Sequence, residues 1–151
     1  MKIGAYVVAG LLLLAGCTEA PPPPLMGDPL NPSAIAFFAF DSAELTPQGL
    51  SSLRTFAQAA KTAKGGGRVF VCGHADKVGT AEANLAISQK RVDVVRQALI
   101  ELGLPADLIV VSAKGDTRPL VGNEGAEAQN RRVDVNFEHP LGLGGQQCSI
   151  R

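Results

Sequence analysis

The chain has 151 residues, of which 46% are hydrophobic, a size and composition that suit one compact domain with short appendages. Acidic and basic side chains balance at 14 each, and this zero formal net charge argues against nucleic-acid binding, which requires basic surface to neutralise phosphates. Aromatic residues make up 5% and tryptophan is absent, which also disfavours a surface that stacks bases.

The N-terminus has the pattern of a targeting signal. Lys2 supplies a positive charge, and an apolar run from Ala5 to Leu14 follows it. This run is shorter than the ~20 apolar residues that a membrane-spanning helix needs. We therefore predict that residues 1–16 form a signal peptide and take no part in the fold.

Residues 14–17 read Leu-Ala-Gly-Cys, which resembles the lipobox of bacterial lipoproteins. The resemblance implies cleavage before Cys17, acylation of that cysteine and, since Thr18 rather than aspartate follows it, a lipid anchor on the periplasmic face of the outer membrane. The alternative is an ordinary secretory signal in which the cysteine is incidental. Residues 17–33 are predicted to be the lipidated cysteine and a linker, because Pro21–Pro24 favour extended polyproline II.

A globular domain is predicted over 34–138, followed by a glycine-rich tail at 139–151. Thr46 followed by Pro47 predicts the start of a helix. The predicted strands are 35–40, 69–72, 108–111 and 132–137, and the predicted helices are 46–63 and 80–102. This βαβαββ order predicts an α+β fold, a two-layer sandwich with helices packed on a mixed four-stranded sheet.

The second predicted helix carries two polar residues on its apolar side. At ~100° per residue, the half of the helix that contains Leu85, Ile87 and Val94 also contains Asn84 and Arg91. A guanidinium on that side must be paired or must reach a cleft, because burying an unpaired charge is strongly unfavourable.

Asp76 is the predicted partner of Arg91. It follows the second strand, at the end of a sheet where α/β proteins commonly bind ligands. A carboxylate and a guanidinium facing one cleft match a ligand that bears both an ammonium and a carboxylate group. A plain Asp76–Arg91 salt bridge that locks the turn onto the helix is the alternative interpretation.

Several motifs in these elements occur together in a known family. They are Phe40-Asp41-Ser42 with Leu45, Gly73-His74-Ala75-Asp76, Gly79-Thr80, Asn84, Arg91 and Asn130-Arg131-Arg132-Val133. In this order and spacing they resemble the OmpA-like peptidoglycan-binding domain over residues 35–137. The Gly-His-Ala-Asp variant, together with the lipobox, looks most like the branch of peptidoglycan-associated (Pal-like) lipoproteins.

The resemblance implies a protein without catalytic activity or cofactor that tethers the outer membrane to the cell wall. Its partner would be peptidoglycan, held non-covalently through the diaminopimelate of the stem peptide. By matching motif positions, the residues implied to bind diaminopimelate are Asp76 for its ammonium, Arg91 for its carboxylate, and Asp41, Asn84, Thr80 and Ile87 along the same cleft. The alternative function is a scaffold subunit of an envelope machine whose main contacts are Tol-system proteins.

The chain departs from the family pattern at a few positions near this cleft. Ile87-Ser88 replaces the usual Leu-Ser, and Val92 stands where a small residue is usual. An aromatic residue is expected at the position of Ala83. We expect these changes to alter affinity more than the identity of the ligand.

Cys72, His74 and Asp76 alternate along the chain, as ligands do in some metal sites and residues do in some Cys–His nucleophiles. Because the only other histidine is His139, we expect neither a metal site nor catalysis. His74 is expected to make structural hydrogen bonds at the turn.

Cys72 and Cys148 remain once Cys17 is acylated. An oxidising periplasm permits a disulfide between them, and the alternative is two unpaired thiols. Arg131 and Arg132 are adjacent on a predicted strand, so their side chains point to opposite faces and at most one of them serves the cleft.

Overall fold

The computed structural model of the chain describes residues 31–63, 66–122, 125–140 and 148. The predicted signal peptide, Cys17, nearly all of the linker and most of the C-terminal tail lie outside the described residues. Among the residues that are described, no helix is long and apolar enough to cross a bilayer.

The described elements follow the predicted order. They are β1 (Ser33–Phe37), α1 (Pro47–Thr62), β2 (Arg68–Gly73), α2 (Ala81–Glu101), β3 (Ile109–Ala113) and β4 (Arg132–Glu138), with short 3₁₀ turns at Ala106–Leu108 and Ala128–Asn130. The sheet order is β1-β4-β2-β3, with β2 and β3 parallel and β4 antiparallel to both of its neighbours. The prediction of two helices on a mixed four-stranded sheet is confirmed.

The first strand is shorter at its C-terminal end than the sequence pattern predicts. It ends at Phe37, and the predicted strand residues 38–40 leave the sheet. The amide of Ser42 bonds to the carbonyl of Ala39, so the chain turns here, and Asp41 adopts the left-handed conformation with φ of 49°. Asp41 therefore lies in a turn after β1, whereas the predicted strand range 35–40 would have placed it directly at the end of the strand.

Both helices begin at a threonine cap. The side chains of Thr46 and Thr80 accept the amide hydrogens of Gly49 and Ala83, which satisfies one of the free donors that every helix start leaves. From there α1 buries Leu53 and neighbouring apolar side chains against the sheet, where they join one core with inward residues of the strands, Ala36 of β1 among them.

The buried stripe of α2 is narrower than predicted. Leu85 is 51% exposed and Val94 is 37% exposed, although both were placed on the apolar side. The buried positions centre on Arg91 and Val95, so Leu85 and Val94 lie roughly 80° and 100° from the middle of the stripe. The helix rests on the sheet along that stripe alone, and its flanks stay in solvent.

The contrast between a buried and an exposed leucine gives a test of this packing. Leu53→Ala should lower the free energy of unfolding by about 2–5 kcal/mol, because it leaves a cavity in the core. Leu85→Ala, the matched control, should change it by less than about 0.5 kcal/mol. Urea unfolding followed by circular dichroism measures both, and equal losses would contradict the placement of α2.

Candidate functional site

The exit of β2 is held by hydrogen bonds that connect it to the β3 exit and to α2. The carbonyl of Gly73 accepts from Lys114 of the β3 exit at 2.8 Å, and the amide of Ala75 donates to Gly115 at 2.8 Å. Gly115 in turn donates to the hydroxyl of Ser88 on α2 at 3.1 Å. The segment from Gly73 to Asp76 is therefore fixed against both β3 and α2.

Arg91 reaches from α2 into the space between this exit and the turn after β1. Its Nε donates to the carbonyl of Ser42 at 2.8 Å, Nη1 to His74 at 3.1 Å and Nη2 to Ala39 at 3.2 Å. The guanidinium also lies 5.3 Å from the ring centre of Phe38, a cation–π distance. Arg91 is only 1% exposed, so it is a buried charge held mainly by backbone dipoles.

Asp76 pairs with a different arginine from the one predicted. Its Oδ2 lies 2.8 Å from Nη1 of Arg131, and among the described residues it forms no ion pair with Arg91. The predicted Asp76–Arg91 pair is thus wrong for the free protein, as is the alternative of a plain salt bridge between them. The reason is topological, because β4 pairs beside β2 and brings Arg131 next to Asp76.

The charges nevertheless form one electrostatic cluster. Burial lowers the pKa of the Arg91 guanidinium below its ordinary value, and the positive charge of Arg131 lowers it further. The carboxylates of Asp76 and Asp41 oppose that lowering, which places both of them within electrostatic range of Arg91. Two acids and a second arginine, from three other segments, therefore lie within electrostatic range of Arg91.

The other predicted site residues lie along the first turns of α2. Thr80 is exposed and caps the helix, whereas Asn84 is 4% exposed and its Nδ2 has no hydrogen-bond partner among the described residues. Ile87 is half-buried one turn further on. Gly79, with φ of 100°, allows the turn that precedes the helix.

The sheet face opposite the helices carries a second polar group. Nε of Arg132 bonds to both carboxylate oxygens of Asp134, and Nε2 of His74 lies 3.2 Å from the same carboxylate. Arg131 and Arg132 thus serve different carboxylates, as the alternation of a strand requires. Within the described ranges, no group of acidic, histidine and cysteine side chains is arranged to hold a metal ion.

On that same face the structure joins Cys72 of β2 to Cys148 in a disulfide, with Cα atoms 5.4 Å apart. This separation is within the usual range for a disulfide. Cys72 is fully buried, so the bond is made at the centre of the sheet.

Sequence reasoning missed the partners that hold the site together. Ser88 was noted only as part of a family motif, yet its hydroxyl links α2 to the β3 exit. Asn130, fully buried, binds the backbone of Leu120 and Val121 and so fixes the loop before Arg131. Both residues stand in sequence patterns that this chain shares with the family, and this was the one feature of the sequence that could have identified them.

Two helices pack on a four-stranded sheet, and charged side chains gather where β2 leaves that sheet. This arrangement is typical of a small binding domain. The model of the OmpA family matches residues 37–132, and the chain belongs to that family. The family is one of binding and structural proteins, not of enzymes.

Individual relatives show which members of the family the chain is similar to. The peptidoglycan-associated lipoprotein of Legionella pneumophila is 36% identical over 106 residues, which is 69% of this chain and 60% of that protein. The crystal structure of the peptidoglycan-associated lipoprotein from Burkholderia pseudomallei has a TM-score of 0.62 at 34% identity and covers 70% of this chain and 90% of that chain. The cell wall anchor of the T6SS from Pseudomonas aeruginosa has a TM-score of 0.58 at 28% identity, covering 71% and 80%.

The chain spans only part of the curated relatives that it matches, 30% of one outer membrane protein A and 60% of the Legionella lipoprotein. The likeness to both kinds of relative supports the OmpA-like fold and the Pal-like resemblance stated from the sequence motifs.

The close approach of Gly73 to α2 yields a prediction about the site's scaffold. A Cβ at Gly73 would collide with the carbonyl oxygen of Ser88 and with Val92. Gly73→Ala should therefore lower the free energy of unfolding by about 1–3 kcal/mol, since strand and helix must separate. Gly122→Ala, where an added Cβ meets no atom within 4 Å, is the control and should change stability by less than about 0.5 kcal/mol. Thermal unfolding compares the two, and a Gly73 variant as stable as the control would contradict the packing.

Proposed function

We propose that the chain is an outer-membrane lipoprotein that binds peptidoglycan without covalent attachment and tethers the membrane to the cell wall. The proposal rests foremost on the buried cluster of Asp76, Arg91 and Arg131 at the β2 exit. Relatives named peptidoglycan-associated lipoprotein and a structural neighbour described as a cell wall anchor support it.

The ligand proposed for this cluster is the diaminopimelate of the stem peptide. Its free end carries an ammonium and a carboxylate, the complement of one acid beside two arginines. Asp76 would take the ammonium, while Arg91 and its neighbour supply the positive field for the carboxylate. A guanidinium has five N–H groups, and those of Arg91 make three bonds to backbone carbonyls. The remaining N–H groups would be available to the carboxylate of the ligand.

The remaining predicted residues fit the rim of such a site. The side-chain amide of Asn84 is buried and has an unused donor, which a peptide carbonyl would satisfy. Asp41 and Thr80 are exposed, and Ile87 would offer an apolar wall. We propose that these four side chains contact the stem peptide around the diaminopimelate end.

A neutral substitution at Asp76 tests the assignment with little change of shape. Asp76→Asn should weaken binding of a diaminopimelate tripeptide by roughly tenfold to a hundredfold, the value of one charge-assisted hydrogen bond. Glu101→Gln, an equivalent change at an exposed position at the end of α2, is the control. Isothermal titration gives the affinities, and co-sedimentation with purified sacculi checks them on the polymer.

Binding of the tripeptide by Asp76→Asn at the affinity of the control would refute the role of Asp76. A wild-type chain that sediments with sacculi but does not bind the tripeptide would place the contact elsewhere on peptidoglycan. Crosslinking in intact envelopes addresses the alternative, in which Tol-type proteins are the main partners.

The lipid anchor is a separate prediction that depends on Cys17. Acylation of that cysteine with two chains would hold the chain stably, at ~0.8 kcal/mol per buried CH₂. Cys17→Ser should abolish incorporation of labelled palmitate and leave an uncleaved precursor, whereas Cys148→Ser should label normally. Normal labelling of the Cys17 variant would contradict the lipobox interpretation.

A further inference from the structure

The disulfide between Cys72 and Cys148 joins two residues in unlike surroundings. Cys72 is 0% exposed and lies in β2, which is hydrogen-bonded to β3 on one side and to β4 on the other. Cys148 is half-buried and lies outside the described helices and strands. Of the two sulfur atoms, that of Cys148 is therefore the one that a molecule in solution can approach.

The backbone of Cys148 is in the left-handed conformation, with φ of 50°. This conformation is uncommon and unfavourable for a residue that has a side chain. Opening the bond to Cys72 would release Cys148 from one of its constraints and let this backbone relax. The ladder hydrogen bonds of β2 do not depend on Cys148, because β3 and β4 supply them. The bond can therefore open without loss of the sheet.

A buried positive charge lies on the same face of the sheet as the side chain of Cys72. Asp134 is directly opposite Cys72 in the register of β2 and β4, and Nε of Arg132 bonds to its carboxylate. Arg132 is the diagonal neighbour of Cys72, a relation in which two residues lie ~7–8 Å apart and a long side chain reaches across. Nη1 of Arg132 is buried and has no hydrogen-bond partner among the described residues. A cationic N–H donor on this face is therefore unused.

We propose that Cys72 and Cys148 form a thiol–disulfide exchange site that takes two electrons from a dithiol. This inference does not rest on the proposed function. One thiolate of the dithiol attacks Sγ of Cys148, forms a mixed disulfide with it and expels Cys72 as a thiolate. The second thiolate of the dithiol then attacks its partner sulfur in the mixed disulfide and releases Cys148. After the two protein thiolates take up the protons that the dithiol lost, the products are two protein thiols and the cyclic or bridged disulfide of the reductant.

The charges around Cys72 make it the leaving group. A thiol leaves faster the better its thiolate is stabilised, and a buried thiolate is strongly unfavourable unless it is paired. The carboxylate of Asp134 opposes a negative charge on Cys72, but that carboxylate is neutralised by Nε of Arg132 and lies 3.2 Å from Nε2 of His74. The unused Nη1 of Arg132 then remains to donate to the Cys72 thiolate.

The sulfur that is attacked can be identified in the full chain carrying Cys17→Ser, in which Cys72 and Cys148 are the only cysteines. Glutathione has a single thiol, so its reaction should stop at the mixed disulfide. It is added without denaturant, and the reaction is ended early with N-ethylmaleimide in guanidinium chloride. Trypsin then separates Cys72, in residues 69–77, from Cys148, in residues 133–151.

Mass spectrometry of these two fragments should show glutathione on residues 133–151 and maleimide on residues 69–77. Glutathione on residues 69–77 would mean that Cys148 is the leaving group and would overturn the proposal. A bond that stays closed until urea unfolds the chain would overturn it as well, because the disulfide would then be a structural crosslink only.

The role of Arg132 is tested in the same Cys17→Ser chain with dithiothreitol as the dithiol. Arg132→Met removes the donor and should slow the opening of the native bond by roughly tenfold, whereas Arg132→Lys keeps a cation and should retain most of the rate. Arg68→Met removes an exposed arginine of β2 and is the control. Alkylation of the thiols at successive times measures the rates. A purely structural role for Arg132 predicts the opposite sign, because a loosened fold would open the bond faster.

Circular dichroism before and after reduction completes the test. We expect the sheet signal to persist in the reduced chain and the bond to form again when oxidised dithiothreitol replaces the reduced form. Loss of the sheet on reduction, or an unchanged or faster rate in Arg132→Met, would overturn the proposal. Should Arg132→Met fail to fold, the fragment analysis of the parent chain decides.

Discussion

The buried guanidinium of Arg91 is the contact on which the arrangement of the site depends. It joins α2 to the turn after β1 and to the β2 exit through three carbonyl oxygens. Carbonyl dipoles, unlike a single carboxylate, spread the compensation for a buried charge over separate segments. Removing the guanidinium would leave three carbonyl oxygens without their hydrogen-bond donor. The turn that carries Asp41 and the strand end that carries Asp76 therefore both depend on Arg91 for their position.

This use of backbone acceptors leaves the carboxylate of Asp76 to pair with Arg131 and not with Arg91. If Asp76 neutralised Arg91, the site would be a closed salt bridge with nothing to offer a guest. Because carbonyl groups hold Arg91, Asp76 instead pairs with Arg131, which is bound less extensively and is closer to solvent. The molecule thus contains one fully buried cation that backbone carbonyls hold, and a second cation that is partly exposed and pairs with a carboxylate.

The sequence predicted the elements well and the contacts of the site less well, for a physical reason. Periodicity in α2 identified Arg91 as a charge on a buried face, and the structure agrees. It did not identify the acceptors, because backbone carbonyls occur at every residue and have no sequence signature. Pairing Asp76 with Arg91 rested on the position of Asp76 at the end of the second strand, which does not show which arginine the fold places beside it.

Strand order explains the remaining difference. Chain order alone does not reveal that β4 lies between β1 and β2, and it is this insertion that brings Arg131 to Asp76. Likewise, Phe38 to Phe40 looked like strand because they are apolar, yet the chain must turn there to present carbonyls to Arg91. Both errors concern tertiary contacts that override a local pattern.

The β2 exit is held by so many neighbours that a guest would find it largely preformed. β3, β4 and α2 bond to it directly, and the disulfide at Cys72 ties the same strand to Cys148. Binding to a preformed site leaves the ordering entropy to the flexible peptide alone. A few charge-assisted bonds would then suffice for weak, reversible attachment, and under the proposed function a membrane-anchored population facing a polymer would gain its strength from many such contacts. A rigid β2 exit is therefore compatible with weak binding at each single site and strong attachment through many sites together.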